Sequence, residues 1–263
     1  MAPFKNRIAQ LSIAVLVLTL FAHGQQTPKY AVVQRFPLTQ QTDGMDGELR
    51  VLMDSRINAD LKRLMWNQGP WDLSLPDDAA AYRSFQSSAP ANAKLEIADA
   101  RGIVTRDKML PYPLVEVKAR LFGSQQIFFL TIDDSAGYGS YSGLTTTLLS
   151  VDSSGLKTVE AFDFYRKART PIAVAANSKS GWKEVPRQGK VDLLAFYCAA
   201  NLNALTYIPR YNGSSIDQLP KDVFLVHYVR YRFDGDAWTR FERVEPGYWE
   251  SNQPFPSDSS FPE

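Results

Sequence analysis

Cysteine and histidine are nearly missing from this chain. Cys198 is the one cysteine in 263 residues, so no disulfide can form within the chain. It ends the apolar run Leu193-Leu194-Ala195-Phe196-Tyr197-Cys198, a setting that predicts a packed, inert thiol rather than a nucleophile. The histidines are His23 and His227. If His23 leaves with a leader, no zinc site of several histidines, or of mixed cysteine and histidine, can be assembled. An excess of one charge is missing too. Lys and Arg number 29 against 28 Asp and Glu, and they are interspersed without a basic stripe. That balance argues against nucleic acid and against an electrostatic membrane-surface role.

Long hydrophobic runs are confined to the N-terminus. Lys5 and Arg7 precede a mostly apolar stretch from Ile8 to Phe21, broken by Gln10, Ser12 and Thr19. It is shorter than the roughly 20 residues of a spanning helix. Ala22 and Gly24 place small residues at the −3 and −1 positions before Gln25. Residues 1–24 therefore read as a signal peptide, which predicts a secreted or periplasmic protein with no membrane span after cleavage. Gln25 is not the cysteine a lipid anchor needs, and Lys5-Asn6-Arg7 is not a twin-arginine pair. Loss of Lys5 and Arg7 takes the formal charge from +1 to −1.

What remains is rich in aromatic and β-branched residues. The runs Leu95 to Thr105, Leu114 to Phe122 and Gln126 to Ile132 are bounded by Gly, Pro or Asp, which predicts strands. Val115, Val117 and Ala119 alternate with Glu116, Lys118 and Arg120, as in a half-buried strand. Asp152-Ser153-Ser154-Gly155 predicts a hairpin turn between Thr145–Val151 and Leu156–Phe162. Asp234-Gly235 predicts a second hairpin with a two-residue turn, which sets Tyr231 opposite Trp238, Tyr228 opposite Phe241 and His227 opposite Glu242. Ile57, Leu61, Leu64 and Met65 share one helical face after Asp54-Ser55, which predicts a helix near 55–67. A second, shorter helix is expected after Pro76-Asp77. The expected architecture is a mainly-β antiparallel domain over 25–245, sandwich-like or an open barrel, with one or two short N-terminal helices. A β-propeller-like repeat of the two hairpins is the alternative. Residues 246–263, rich in Pro and Ser, are expected to form an extended tail.

Candidate chemistry is thin. No Gly-x-Ser-x-Gly elbow is present, and His227 sits within an aromatic run, the setting of a packed histidine. Gly137-Tyr138-Gly139-Ser140-Tyr141-Ser142-Gly143 follows a strand, but Thr145-Thr146-Thr147 after it is strand-like, whereas a dinucleotide loop opens a helix. No cofactor and no metal is expected. The loop instead offers Tyr138 and Tyr141 as ligand contacts, with Tyr231 and Trp238 as further aromatic candidates. Asp133 and Asp134 are the candidate acid pair of a carboxylate-dependent hydrolase, although adjacent strand residues point to opposite faces. The expected function is that of a non-catalytic binding protein for a glycan or protein outside the cytoplasm. A hydrolase of an extracellular polymer and a structural envelope protein are the alternatives.

Overall fold

The structure is a computed structural model, and it describes residues 29–38, 46–57, 80, 92–133, 143–188, 190–201 and 219–263. The expected signal peptide at residues 1–24, the 58–67 part of the expected first helix and nearly all of the second lie outside these residues. So do Asp134, Tyr138 and Tyr141. At the expected start of the first helix, Asp54 is the last residue of a strand. Its carboxylate accepts the backbone N–H of Arg56 at 2.9 Å, which makes a tight turn.

Fifteen strands appear among the described residues. β1 (Tyr30–Pro37), β2 (Gly47–Asp54), β3 (Lys94–Asp99) and β4 (Val104–Met109) form one sheet in sequence order. The second sheet holds β5 (Val115–Phe122), β6 (Gln125–Asp133), β7 (Gly143–Asp152), β8 (Gly155–Thr158), β9 (Glu160–Asp163), β10 (Ala168–Pro171), β11 (Ala173–Asn177), β12 (Ser180–Arg187), β13 (Lys190–Ala200), β14 (Phe224–Phe233) and β15 (Trp238–Pro246). Its spatial order is β10-β9-β15-β14-β13-β12-β11-β7-β6-β5, with β8 paired to β7. Every pairing is antiparallel except β9 with β15. The sheets do not close into a barrel and are consistent with a β sandwich. The propeller alternative fails because the β7–β8 and β14–β15 hairpins belong to one sheet rather than to successive blades.

Strands β6, β7 and β13 are apolar at consecutive positions because each serves two cores, with Leu148 and Leu149 divided in this way on β7. On β6, Phe128 and Leu130 join Leu49, Val51, Leu95 and Ile97 of the smaller sheet. Ile127 and Phe129, on the opposite face, join Leu193, Val229, Tyr231 and Trp238. On β13, Leu193 and Ala195 enter that second core, while Leu194, Phe196 and Cys198 enter a third. Successive side chains point to opposite faces, so a run buried throughout marks a layer covered on both sides. Each fully buried Leu, Ile or Phe of this kind contributes about 2 kcal/mol. The third core is closed by the C-terminal segment, whose Tyr248, Trp249, Phe255 and Phe261 pack on Phe196, Phe224 and Tyr228.

Besides the shared core, side-chain amides tie the smaller sheet to the edge of the larger one, with Gln126 donating to Pro37 C=O at 3.0 Å and Gln34 reaching β5. β1 bulges between Val32 and Gln34. The Gln34 amide donates to Val117 C=O and accepts from Val117 N–H, both at 3.0 Å. It thus acts as a one-residue strand partner on the edge of β5.

The β14–β15 hairpin differs in register from the sequence expectation. Phe233 pairs with Trp238, Tyr231 with Arg240, Tyr228 with Arg243 and His227 with Val244. The loop therefore spans Asp234–Ala237. The Asp234 carboxylate accepts the N–H groups of Asp236 (3.1 Å) and Ala237 (3.0 Å), and Gly235 takes a φ of 127°. An Asx-closed four-residue loop satisfies more backbone donors than the tight turn would. The shift keeps every side chain on its expected face, because partners move by two residues. The β7–β8 hairpin pairs Asp152 with Gly155, as the turn sequence requires, with Gly155 at a φ of 117°.

Candidate functional site

Alternation along β9 and β12–β15 carries polar side chains to both faces of these strands, in two separate groups. The first continues the inner face beyond the second core. On β13 it follows Leu193 and Ala195 to Tyr197, and on β14 it follows Tyr231 and Val229 to His227. On β15 it follows Trp238 to Arg240 and Glu242, and on β9 it follows Ala161 to Asp163. His227 Nδ1 lies 2.8 Å from Glu242 Oε1, and its ring stacks on Tyr197 with centroids 4.3 Å apart. Arg240 Nη1 donates to Asp163 Oδ2 at 2.5 Å and to Glu242 Oε2 at 3.0 Å. Asp163 also accepts the backbone N–H groups of Tyr165 and Arg166.

This inner group is a satisfied ion cluster. Burial pushes both carboxyls up, but the opposing bonds win. Backbone N–H groups and Arg240 hold Asp163 below its ordinary value, and Arg240 and His227 do the same for Glu242. Both acids are therefore ionised near neutral pH. A glycosidase pair needs one protonated member to act as general acid, and an arginine bridging both carboxylates prevents that. Burial, with Glu242 close by, pushes the Tyr197 hydroxyl up to about 12. His227 is the packed, hydrogen-bonded histidine its aromatic run predicts. Burial likewise raises Cys198, whose side chain is fully buried in the third core, so its thiol is poorly nucleophilic. Among the described residues no group of three His, Cys, Asp or Glu is arranged to hold a metal.

The second group lies on the outer face of the same strands, beside the part covered by the C-terminal segment, with Val185, Lys183 and Leu194 at the border. Register places Val185, Asp192, Arg232, Thr239 and Phe162 in one row across β12, β13, β14, β15 and β9. The neighbouring row holds Lys183, Leu194, Arg230 and Phe241. Asp192 is fully buried at the centre. Arg187 Nε bonds both of its carboxylate oxygens at 3.0 Å, Arg230 Nη1 donates at 3.1 Å, and Arg232 Nε stands 3.9 Å away. Three guanidinium groups thus surround one carboxylate. The Nε atoms of Arg230 and Arg232 are buried without a hydrogen-bond partner. Arg232 lies over the Phe241 ring at 5.3 Å, and Phe241 stacks on Phe164 at 5.7 Å. Phe162 and Phe164 remain 39% and 48% exposed. The result is a cationic, aromatic surface on a rigid sheet.

The residues singled out from sequence are placed differently. Tyr231 and Trp238 are core residues, 6% and 2% exposed, with Trp238 packed on Phe122 and Phe233. They present no ring face to a ligand, because the inner-face positions they occupy are roofed by β5 and β6. Asp133 ends β6 opposite Leu144, and its proposed partner Asp134 lies outside the described residues, as do Tyr138 and Tyr141. A cleft of about 270 Å³ lies between Gln125, Lys157, Glu160, Arg169, Asp236 and Trp238. It is smaller than ordinary ligand cavities. Sequence reading missed the outer-face group. Its visible trace is the alternation Arg230-Tyr231-Arg232-Phe233, which puts both arginines on the face opposite the core. Arg187, Asp192 and Phe162 join them only through strand order.

No family model, no curated protein and no solved structure matches this chain.

Proposed function

We propose that this is an exported, non-catalytic binding protein whose contact surface is the open outer face of β9 and β12–β15. One observation carries the reading. Three arginines converge on a single buried carboxylate beside exposed phenylalanines, in a chain of almost balanced charge. Excess positive charge gathered on one face attracts anionic partners, and desolvated aromatic and arginine side chains are the residue types that carry binding energy. The ligand is a glycan or protein outside the cytoplasm. Export rests on the residue 1–24 pattern, and mass spectrometry of the mature protein is expected to give Gln25 as its first residue. The carboxylate-hydrolase alternative has less support, since the paired acids at Asp163 and Glu242 are bridged by Arg240.

The test is a panel of acidic and neutral glycans and peptides, read by biolayer interferometry. Acidic members are expected to bind, and the double variant Arg232→Gln, Phe164→Ser to lose that binding while melting like the wild type. Responses confined to neutral ligands, or untouched by the double variant, would overturn the proposal.

A further inference from the structure

The outer face already holds one occupant, and that occupant has a distinct chemistry. Residues 247–263 read Gly-Tyr-Trp-Glu-Ser-Asn-Gln-Pro-Phe-Pro-Ser-Asp-Ser-Ser-Phe-Pro-Glu and contain no lysine or arginine. This segment carries no strand and only a single short turn of 3-10 helix at Asp258–Ser260. It is an extended, acidic, aromatic stretch.

Its seat shows how the face recognises such a stretch. The rings of Trp249 and Phe255 meet Phe196 edge-on at 4.4 and 5.1 Å, and Phe261 meets Tyr228 at 5.5 Å. The carboxylates fall on lysines that border the rings. Glu250 accepts from Lys179 at 2.9 Å, and Asp258 accepts from Lys183 at 2.7 Å. Lys183 also lies 4.7 Å over the Phe255 ring. Each anchor thus combines an aromatic contact with a charge-assisted bond.

The open half repeats these parts on the rows next in register. Arg232 lies over Phe241 of the neighbouring strand, whereas Lys183 lies over Phe255 of the segment itself, so in both halves a cation of the sheet is set beside a ring. Arg230 and Arg232 are two residues apart on one face of β14, a spacing of about 6.6 Å. Arginine in place of lysine favours forked bonds to planar carboxylates. We infer that the ligand of the open half is an extended, acidic, aromatic polypeptide segment, chemically like the C-terminal segment that covers the adjoining half. This rests on the reading of the open half as a contact surface.

The probe is a synthetic peptide of residues 247–263, titrated into the full mature chain, whose own segment keeps the covered half occupied. Binding is expected at micromolar to sub-millimolar peptide. Two changes are each expected to weaken it at least tenfold. One replaces Glu250, Asp258 and Glu263 of the peptide by Gln, Asn and Gln. The other is Arg232→Gln with Phe164→Ser in the protein. The Phe164→Ser variant alone, at an exposed position, guards against a folding artefact and is expected to give at least a threefold loss. A peptide that binds with no response to these protein variants is seated elsewhere, and the inference falls. If the peptide fails while polygalacturonate binds through Arg232, the contact surface stands and the peptide class falls. If neither probe responds to the Arg232 variant, both readings fall.

Discussion

The outer face of β12–β15 has two halves built from the same strands, and they differ in what lies on them. One half is capped by an aromatic segment and sealed by lysine–carboxylate pairs at Lys179 and Lys183. The other shows Phe162 and Phe164 exposed beside a partly exposed Arg232, with no such segment among the described residues. The covered half explains why Phe196 and Phe224, which would otherwise be solvent-facing, are fully buried. The open half has the polar parts of such a seat without the cap. The contrast teaches that one sheet face can carry apolar rings under a chain segment at one end and arginines beside exposed phenylalanines at the other.

The comparison can be broken first at the covered half. Phe261→Ala removes a ring that is 2% exposed and touches Tyr228 and Phe255. A loss of about 3 kcal/mol is expected in urea unfolding. A value under about 1 kcal/mol would mean that the cap is laid on rather than built in. The open half has its own keystone. Asp192→Ala strands the Arg187 and Arg230 guanidinium groups beside a cavity, and about 3 kcal/mol is expected to be lost. Asp192→Asn is expected to lose less, because its amide oxygen still accepts from one arginine.

The opposite face of these strands sharpens the contrast. Asp163 and Glu242 are held below their ordinary carboxyl values. Their ionised forms therefore stabilise the fold at pH above the usual carboxyl range. That contribution is lost as pH falls through about 4 and below. Glu242→Gln is expected to flatten the acid limb of stability between about pH 5 and pH 2, seen in urea midpoints across that range. The smallest effect belongs to the open surface. Phe164→Ser is expected to change stability by less than about 0.5 kcal/mol, while weakening the proposed peptide binding at least threefold.

The sandwich was legible because strand signals are local. Val115 and Val117 alternate with charged residues, and the Ile127–Leu130 run is bounded by turn residues. Both become β5 and β6 as read. Hairpin register was only half legible. Asp234-Gly235 marks the turn, but its length depends on the Asp234 carboxylate capturing two N–H groups, which composition does not reveal. The long Leu95–Thr105 run proved to be two strands, because Asp99 turns the chain at Arg101 and Gly102. The outer-face group was the least legible. Arg187, Arg230 and Phe162 are far apart in sequence, and only the crossover that sets β9 parallel to β15 brings Phe162 into the arginine row. An aromatic-rich sequence also draws attention to Tyr231 and Trp238, whose rings serve the core.

The most direct measurement is amide chemical-shift mapping on the full mature chain as the 247–263 peptide is added. The account predicts shifts concentrated at Phe162, Phe164, Arg230, Arg232 and Phe241, with those of Tyr197 and His227 on the opposite face unmoved. Shifts centred on Tyr197 and His227, or on the covered half around Phe196 and Phe224, would contradict it.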